Sequence, residues 1–409
     1  MVSGTPQIFG PPYWEPGDFD SVNGYPRYAP DEMARRHAWL DEVAQEQALD
    51  AVLVGGATGP LDRVVQFFTN WPPQLQNYFL YAGADDMTLY VRLWNHVPDA
   101  QLIAAVEDVR YGGDTPSDQA DGLVTEVLAR GWQRLGLIGT VPHSDFLRLR
   151  AGAPQVEFVD LNEAYQRFRL VKSEEEMRYT RIASRMNDAA VAALREHIRP
   201  GVKEYELAQV MEAVYVGHRG VNLIHFTLST AMDSPQRCVP HQYHPDRVLE
   251  KGDVVVTEIS TNFWGYAGQV LRSFTVAADP TPRYRRLFDT AEEVYNEIVD
   301  ILRVGVTVGE ILDAAELIDE RGLAIFDDLV HGFGGAYLPP IVRTRQSRGA
   351  THPDSFAYPE GALIVVQPNV IDGDAGVQLG NSMRITSAGI EVTQKYPMGF
   401  EIGGLDAQS

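Results

Sequence analysis

The chain has 409 residues, a formal net charge of −22 at pH 7 and a sequence pI near 4.8. With 44% hydrophobic and 22% charged residues, it has the composition of a globular protein long enough for two domains. The negative charge would repel nucleic acids and anionic membranes, so neither is expected as a partner.

The first residues have neither the basic start nor the apolar run of a signal peptide. No stretch approaches the ~20 apolar residues of a membrane-spanning helix. The single cysteine, Cys238, excludes an intrachain disulfide and a cysteine-cluster metal site. Together these features predict a cytoplasmic protein.

The first half of the chain alternates between strand and helix patterns. Residues 1–29 are rich in Pro, Gly and Tyr and are predicted to form a leader arm without helix or strand. A helical rhythm over residues 30–47 is followed by four predicted strands, "LDAVLVGG", "NYFLYA", "MTLYVRL" and "RLGLIGT", and by the helix "DGLVTEVLARGW". This alternation predicts an α/β domain over residues 30–168.

The second half begins with a long amphipathic helix. Ser173 and Glu176 have the spacing of a capping box, and the apolar residues that follow recur with a helical period. We therefore place the domain boundary near Arg169, with the second domain over residues 169–409.

A weak repeat indicates that this second domain has two similar halves. "IRPGVKEYELA" at Ile198 is echoed by "LRVGVTVGEIL" at Leu302. Each copy follows a long helix and opens another, which predicts pseudo-twofold halves with a ligand bound where their sheets meet. The strands of the sheet are predicted in "GDVVVTEIS", "QVLRSFTV", "ALIVVQPNV" and "MRITSAGIEVT".

Six stretches, in order and at matching spacing, resemble motifs of the creatinase/aminopeptidase P/methionine aminopeptidase (M24) family. They are "RLVKSEEEM", "PHQYHPDRVLEKGDVVVTEIS", "GYAGQVLRSFTV", "HGFGGAYLPP", "VVQPNV" and "GVQLGNSMRITSAGIEV". The resemblance implies an α/β N-terminal creatinase-like domain followed by an α+β pita-bread domain with pseudo-twofold halves. It also implies a homodimer.

The resemblance locates the metal-ligand positions of the family, and most of them hold no ligand here. The metal-binding members hold two divalent ions with Asp, Asp, His, Glu and Glu, which fall on Glu258, Gln269, His331, Gln367 and Gly380. One carboxylate and one imidazole supply about −1 against +4, so we expect no dimetal centre and no cofactor. A mononuclear site at Glu258 and His331 is an alternative, although two ligands hold a transition metal poorly.

The remaining polar residues at these positions suggest acid–base chemistry. His241 falls on the substrate-facing histidine of the family and is predicted to be the acid/base, although a surface histidine in a Pro-rich turn is the simpler alternative. Burial would raise the pKa of Glu258, which suits a proton shuttle or an anchor for a cationic group, but a purely structural glutamate is equally consistent. His331 lies in a Gly-rich loop and completes the predicted catalytic set. Gln269 and Gln367 are predicted to form hydrogen bonds with the substrate, although core glutamines are the alternative.

Other candidates come from less specific patterns. Arg343 and Arg345 are candidates for binding a substrate carboxylate, although such a run is more often a solvated loop. Trp71 and Tyr78 match a segment that, in creatinase-like dimers, reaches toward the active site of the partner, but both are also consistent with core aromatics. Cys238 lies three residues before His241 and is given little weight as a nucleophile.

The sequence therefore predicts a metal-independent hydrolase of a C–N bond, of amide, ureido or amidino type, in a small non-peptide compound. Creatine is not expected as the substrate, because the catalytic glutamates of creatinase fall on Leu271 and Gln367; ectoine hydrolase is similar in having a glutamate at the Glu258 position. Three alternatives stay open: a lyase on the same fold, a ligand-binding pseudoenzyme, and an atypical metallopeptidase of the Xaa-Pro type. Leu338 replaces the second loop histidine of the family, which argues against ordinary peptidase activity.

Overall fold

The computed structural model describes residues 13–15, 17–22, 24–56, 63–347 and 349–403. The chain divides into two compact units, one formed by Pro16–Arg169 and one by Leu170–Ser409 together with Met1–Glu15. No helix among the described residues is both long and apolar enough to cross a membrane.

The first unit is built on a mixed six-stranded sheet. The strands of this unit are β1 (Asp20–Val22), β2 (Tyr25–Arg27), β3 (Ala51–Gly56), β4 (Asn77–Tyr81), β5 (Met87–Arg92), β6 (Asp108–Gly113), β7 (Arg134–Gly139) and β8 (Glu157–Asp160). The first two form a separate hairpin, and the other six form the sheet. Its helices are α1 (Pro30–Glu46), α2 (Val64–Thr69), α3 (Val97–Ile103), α4 (Pro116–Arg130), α5 (His143–Gly152) and α6 (Asn162–Leu170). The sheet order is β6-β5-β4-β3-β7-β8, and β3 in its centre is buried along its whole length.

The leader arm differs from its prediction. Part of residues 1–29 lies outside the described residues, but β1 and β2 form a two-stranded antiparallel hairpin within it. Strands of three residues are too short to produce a recognisable alternation of apolar and polar residues, so the pattern did not reveal them. Residues 13–15 belong to the second unit, and residues 17–29 to the first.

The second unit contains a larger sheet covered by helices. Its helices are α7 (Glu174–His197), α8 (Glu204–Ala213), α9 (Pro282–Ile301), α10 (Val308–Ala314) and α11 (Glu316–Glu320). Its strands are β9 (Val221–Ala231), β10 (Asp253–Phe263), β11 (Tyr266–Ala267), β12 (Val270–Val276), β13 (Ala324–Ile325), β14 (Val330–Gly332), β15 (Leu338–Val342), β16 (Leu363–Val366), β17 (Val370–Asp372), β18 (Ala375–Gly376), β19 (Gly380–Thr386), β20 (Gly389–Val392) and β21 (Glu401–Gly403). The predicted capping box at the start of α7 is confirmed, because the Ser173 and Glu176 side chains each accept from the backbone N–H of the other residue.

The central path of the ten-stranded sheet is β11-β10-β12-β19-β16-β14-β15. Strand β9 also pairs with β10, along nearly its whole length. The hairpin β10–β12 and the pair β16–β19 are pseudo-twofold equivalents that meet where Val270 pairs with Asn381 and Leu271 with Gly380. A matching pair of serine contacts flanks this junction. Ser382 Oγ accepts from the Gln269 N–H, and Ser273 Oγ accepts from the Gln378 N–H.

A buried arginine crosses the junction between the two halves. The Arg272 guanidinium donates to five oxygens: the carbonyls of Leu271, Gly380, Tyr396 and Pro397 and the side chain of Asn381. Burial lowers the pKa of Arg272 to about 10, which still leaves it charged at neutral pH. A single cation therefore holds both halves and the C-terminal segment together.

Replacing Arg272 by Lys should destabilise this junction. A lysine ammonium has its three donors on one nitrogen atom. It cannot reach all the acceptors that surround the planar guanidinium group, so several buried carbonyls lose their partner. We expect the free energy of unfolding to fall by about 2–4 kcal/mol in urea denaturation. As a control, Arg167→Lys alters an exposed ion pair and should cost less than about 0.5 kcal/mol. Equal effects of the two substitutions would contradict the role given to Arg272.

Candidate active site

The five positions that correspond to the family's metal ligands lie in one sheet of the second unit. Glu258 is in β10, Gln269 directly precedes β12, and Gly380 begins β19. His331 is in β14, and Gln367 directly follows β16. Because these strands are neighbours along the sheet, positions more than 100 residues apart in sequence come together at its centre.

Glu258 lies deep within the sheet but keeps part of its side chain accessible. Its Oε1 accepts a hydrogen bond of 2.5 Å from Gln269 Nε2. Desolvation, with the charges of Asp327 and Asp328, raises the pKa of Glu258 to about 8. At neutral pH this carboxyl group is therefore mostly protonated.

Asp327 and Asp328 form an acidic pair beside Glu258. Gln367 Nε2 donates to Asp328 Oδ1 at 3.0 Å and to Asp327 Oδ2 at 3.3 Å, and Asn369 Nδ2 also donates to Asp327 Oδ2. Burial and the neighbouring Asp328 raise the pKa of Asp327 to about 6. We call Glu258, Asp327 and Asp328 the carboxylate cluster.

The carboxylate cluster has a surplus of hydrogen-bond acceptors. The side-chain oxygens of Gln269, Gln367 and Asn369 are buried and have no hydrogen-bond partner among the described residues. Among the residues that the structure describes, no lysine or arginine forms an ion pair with Glu258, Asp327 or Asp328. Buried acceptors without donors cost free energy unless a ligand or water supplies the hydrogen bonds. The cluster is therefore suited to a ligand rich in N–H donors.

His331 and Tyr337 border the cluster. His331 Nδ1–H donates to the carbonyl of Gly332 at 2.9 Å, so the neutral imidazole presents Nε2 as an acceptor. The Tyr337 ring centroid lies 4.5 Å from that of His331, and its hydroxyl donates to Asp328. Burial and Asp328 raise the pKa of Tyr337, which keeps this hydroxyl a donor.

The residues present do not fit a two-ion metal centre. Gln269 and Gln367 each turn an amide N–H toward a carboxylate, where a metal ion would require an oxygen. At Gly380 a Cβ atom would lie 2.7 Å from the Val366 carbonyl oxygen, so this position has no room for a ligand side chain. Among the residues that the structure describes, no three His, Cys, Asp or Glu side chains are placed to hold a metal ion.

His241 belongs to a different group of side chains. Its Nδ1 lies 3.0 Å from Oε1 of Glu204, at the start of α8. His241 bridges to Thr227, which pairs with Thr257. Paired residues point to the same face of an antiparallel sheet, and Glu258, one residue further on, points to the other. The Glu258 side chain therefore contacts Gln269, whereas the His241 side chain lies on the opposite face of the sheet.

The structure also shows the surroundings of the other predicted residues. Trp71 and Tyr78 are buried within the first unit, where the Tyr78 hydroxyl donates to Asp145 at 2.7 Å. Arg345 forms exposed ion pairs with Asp313 and Asp354. Arg343 is half-buried, and the positive charge of this arginine acts on Tyr337. Cys238 is buried, and burial raises the pKa of its thiol, so it is not an activated nucleophile.

Sequence reasoning missed several side chains of these two groups. Asp327 and Asp328 stand directly before the apolar residues Leu329 and Val330, and an acidic pair entering a buried strand was the available signal. Asn369 and Glu204 gave no local signal, because their roles depend on partners far away in the sequence.

Comparison with known proteins gives a consistent group of relatives. The chain matches the metallopeptidase family M24 over residues 178–387. It is 24% identical to an Xaa-Pro dipeptidase of Pyrococcus furiosus, over 87% of this chain and 97% of the relative, and 25% identical to an Xaa-Pro dipeptidase of Pyrococcus horikoshii, over 88% and 96%.

Solved structures of similar proteins have the same fold. A prolidase from Pyrococcus horikoshii matches with a TM-score of 0.75 and 22% identity, covering 89% of this chain and 99% of the other. An X-Pro aminopeptidase from Thermotoga maritima matches with a TM-score of 0.76 and 20% identity, covering 90% and 99%. The predicted pita-bread architecture, with an N-terminal domain before it, is confirmed.

The predicted function is wrong. The relatives found are Xaa-Pro dipeptidases and similar peptidases, not creatinase-like enzymes that act on small non-peptide compounds. The prediction was based on the lost ligand positions. The similarity to the Xaa-Pro dipeptidases, however, extends over nearly all of their chains. The alternative of an atypical Xaa-Pro peptidase agrees better with these findings.

Replacing Glu258 by Gln should change how stability depends on pH. The folded chain holds the Glu258 proton up to about pH 8, whereas the unfolded chain releases it near the ordinary pKa of 4.5. The folded state then binds more protons between these values, so the free energy of unfolding falls as pH rises through this window. We expect Glu258→Gln to raise the free energy of unfolding by roughly 1–3 kcal/mol at pH 8.5 and little at pH 4.5.

Urea denaturation of both proteins at the two pH values checks this expectation. The exposed carboxylate of Glu163 gives a matched control, and Glu163→Gln should change stability by less than about 0.5 kcal/mol at either pH. An effect of Glu258→Gln that is the same at both pH values would contradict the raised pKa.

Proposed function

Because the chain belongs to metallopeptidase family M24, and its relatives include Xaa-Pro dipeptidases, we propose that it hydrolyses short peptides of the Xaa-Pro dipeptide class. The substrate bond is then a C–N bond of a peptide, and the substrate carries a free amino terminus. The match over nearly the whole length of both dipeptidases supports this class.

The observation that carries the proposal is the acceptor surplus of the carboxylate cluster. A protonated amino terminus has one positive charge and three N–H donors, and the cluster offers Glu258, Asp327 and the three unpartnered amide oxygens. The negative charge of Asp327 would attract the ammonium group, and the amide oxygens would accept its hydrogen bonds. A substrate bound in this way satisfies groups that are otherwise buried without partners.

The roles of this chain's residues follow from that binding mode. Asp327 would anchor the ammonium group by its charge, and Glu258 would contribute only as a neutral carboxyl group. Gln269, Gln367 and Asn369 would orient the ammonium group. His331, with Nε2 as an acceptor, would hold a water molecule. Because the ligand positions do not fit two ions, no step is assigned to a metal.

Proline release from Xaa-Pro dipeptides tests the function. Purified protein is incubated with Ala-Pro and Leu-Pro as isolated, with added Mn²⁺, and after treatment with a chelator. The N-acetylated dipeptides serve as matched substrates that lack the positive charge. We expect proline release from the free dipeptides and at least a tenfold lower kcat/KM, about 1.4 kcal/mol, for the acetylated ones. No release under any of the three conditions would contradict the proposed hydrolysis.

Replacing Asp327 by Asn tests the ammonium anchor. The substitution keeps the shape but removes a buried charge opposite the ammonium group, so KM should rise roughly 10- to 100-fold while kcat changes less. Asp313→Asn is the matched control, because Asp313 lies on the surface of the same unit in an ion pair with Arg345. An Asp327→Asn enzyme with unchanged KM would contradict the anchor.

The same cluster favours a second candidate function, which is binding of such peptides without turnover. The amide side chains at Gln269 and Gln367 leave a hydrogen-bonding surface where the family has catalytic ligands. Calorimetric binding of Ala-Pro without proline release would favour this candidate over hydrolysis. The homodimer and the cytoplasmic location remain predictions.

A further inference from the structure

The two hairpins at the centre of the large sheet correspond to each other residue by residue. The first runs from β10 through β11 to β12, and the second runs from β16 through β17 and β18 to β19. Both keep one register from the sheet centre to the turn. The pairs that establish this are Thr257–Arg272 with its equivalent Val366–Asn381, and Phe263–Tyr266 with its equivalent Asp372–Ala375. Each residue of one hairpin therefore has an equivalent in the other.

This correspondence makes Gln378 the equivalent of Gln269. The contacts at the junction of the hairpins agree, because the Gln269 N–H donates to Ser382 Oγ and the Gln378 N–H donates to Ser273 Oγ. The Gln269 side chain lies on the face of the sheet that holds the site, where it donates to Glu258. By the pseudo-twofold relation, the Gln378 side chain lies on the same face.

The strand register also places Gln378 beside the carboxylate cluster. Within the second hairpin, the constant register puts Asn369 directly opposite Gln378. Directly opposed residues of antiparallel strands have their side chains on the same face and close together. The Asn369 side chain in turn donates to Asp327. Gln378 is therefore the neighbour of a residue that contacts the proposed anchor of the ammonium group.

The amide group of Gln378 has no partner in the protein. The residue is 3% exposed, and only its backbone groups bond, both of them to the Ser273 hydroxyl. Neither Oε1 nor Nε2 forms a hydrogen bond with any residue that the structure describes. A buried amide without partners costs free energy. Because no bond fixes its orientation, this amide can turn either N–H or oxygen toward a ligand.

The substrate of the proposed reaction needs one such donor. The scissile bond of an Xaa-Pro peptide has a carbonyl oxygen but no N–H, because its nitrogen belongs to proline. Negative charge develops on this oxygen when the bond is attacked, and a fixed N–H donor stabilises that charge. The amide nitrogens of Gln269, Gln367 and Asn369 already donate to carboxylates. Gln378 is the amide of this face whose donors are unused.

We propose that Gln378 is a catalytic residue whose Nε2 donates a hydrogen bond to the carbonyl oxygen of the scissile peptide bond. One Cα atom separates the ammonium nitrogen of a dipeptide from this carbonyl group. With the ammonium group at Asp327, a side chain opposite Asn369 is therefore placed to reach the oxygen. The proposal rests on the proposed function for its substrate. It adds a group that binds the reacting carbonyl, whereas the carboxylate cluster binds the amino terminus.

Two substitutions separate a donor role from an acceptor role. Gln378→Met keeps the length of the side chain without its polar atoms, and Gln378→Glu keeps acceptor oxygens but removes the N–H donors. We expect both to lower kcat for Ala-Pro and Leu-Pro roughly 10²-fold or more, with a smaller change in KM. If Gln378 instead accepted a bond from the ammonium group, Gln378→Glu would keep or gain activity. That result, or an unchanged kcat in Gln378→Met, would overturn the proposal.

Gln119 provides a matched control in the first unit. It is also a buried glutamine whose amide nitrogen and oxygen have no partner among the described residues, so Gln119→Met makes the same chemical change elsewhere. We expect kcat to stay unchanged in this variant. The Ser260 hydroxyl is a second unpartnered group, at the position equivalent to Asn369. A larger loss of kcat in Ser260→Ala than in Gln378→Met would overturn the proposal.

Urea denaturation separates loss of catalysis from loss of folding. Gln378→Met removes a buried amide that has no partner, so its denaturation midpoint should equal or exceed that of the wild-type protein. A catalytic defect in a protein of undiminished stability is the expected result. A lower midpoint would mean that the Gln378 side chain supports the fold, and it would overturn the proposal.

A modified substrate tests the hydrogen bond itself. In thioxo-Ala-Pro, sulfur replaces the scissile carbonyl oxygen and is a weak acceptor. We expect Gln378→Met to reduce the preference of the wild-type protein for Ala-Pro over this analogue by at least tenfold in kcat/KM. The intrinsic difference in reactivity cancels, because both proteins receive the same two compounds. An equal preference in the two proteins would overturn the proposal.

The same two compounds also distinguish failure of this proposal from failure of the proposed hydrolysis. If the wild-type protein releases no proline, the hydrolysis fails, and the dissociation constants of both compounds are then measured by calorimetry. Tighter binding of Ala-Pro than of the thioxo analogue, with the difference lost in Gln378→Met, supports the contact between Gln378 and the carbonyl oxygen. No binding of Ala-Pro, or the same difference in both proteins, overturns it.

Discussion

The pairing of β12 with β19 is the constraint on which the second unit depends. The two hairpins meet through two residue pairs, Val270 with Asn381 and Leu271 with Gly380, and the Arg272 guanidinium spans this contact. Because the register there is fixed, Glu258 on one hairpin and Gln367 on the other are brought to the same region of one sheet. A shift by one residue would turn these side chains to the opposite face.

This fixed framework explains how the site changed without loss of the fold. The strands that hold metal ligands in the family are retained, while amides or glycine stand at three of the five positions. Clustered carboxylates repel one another when no cation is present, and amides that donate to the remaining acids relieve that repulsion. Gln269 does this for Glu258, and Gln367 does it for Asp327 and Asp328. The amide oxygens left over then form the acceptor surface to which we assign the ligand.

The two halves of the second unit use one backbone for different purposes. The second half has valines at three positions, Val308, Val330 and Val342, which are part of its hydrophobic core. The first half places Glu204, Thr227 and His241 at the positions with matching backbone bonds and register, at a cost in desolvation that hydrogen bonds offset. Duplication thus supplies a comparison within one molecule, because whatever the shared backbone requires must be present in both halves.

The sequence by itself determined the α/β character of the first domain, the main strands, the capping box of α7 and the repeat, because these depend on local periodicity and fixed spacing. The pita-bread architecture and the five ligand positions came instead from the resemblance of six sequence motifs to the M24 family. Only the tertiary structure decided that Asp327 and Asp328 lie beside Glu258, that Glu204 contacts His241, and that Arg345 pairs with Asp313 and Asp354. Those contacts connect residues far apart in the chain, and they follow from strand register and packing, which local patterns do not encode.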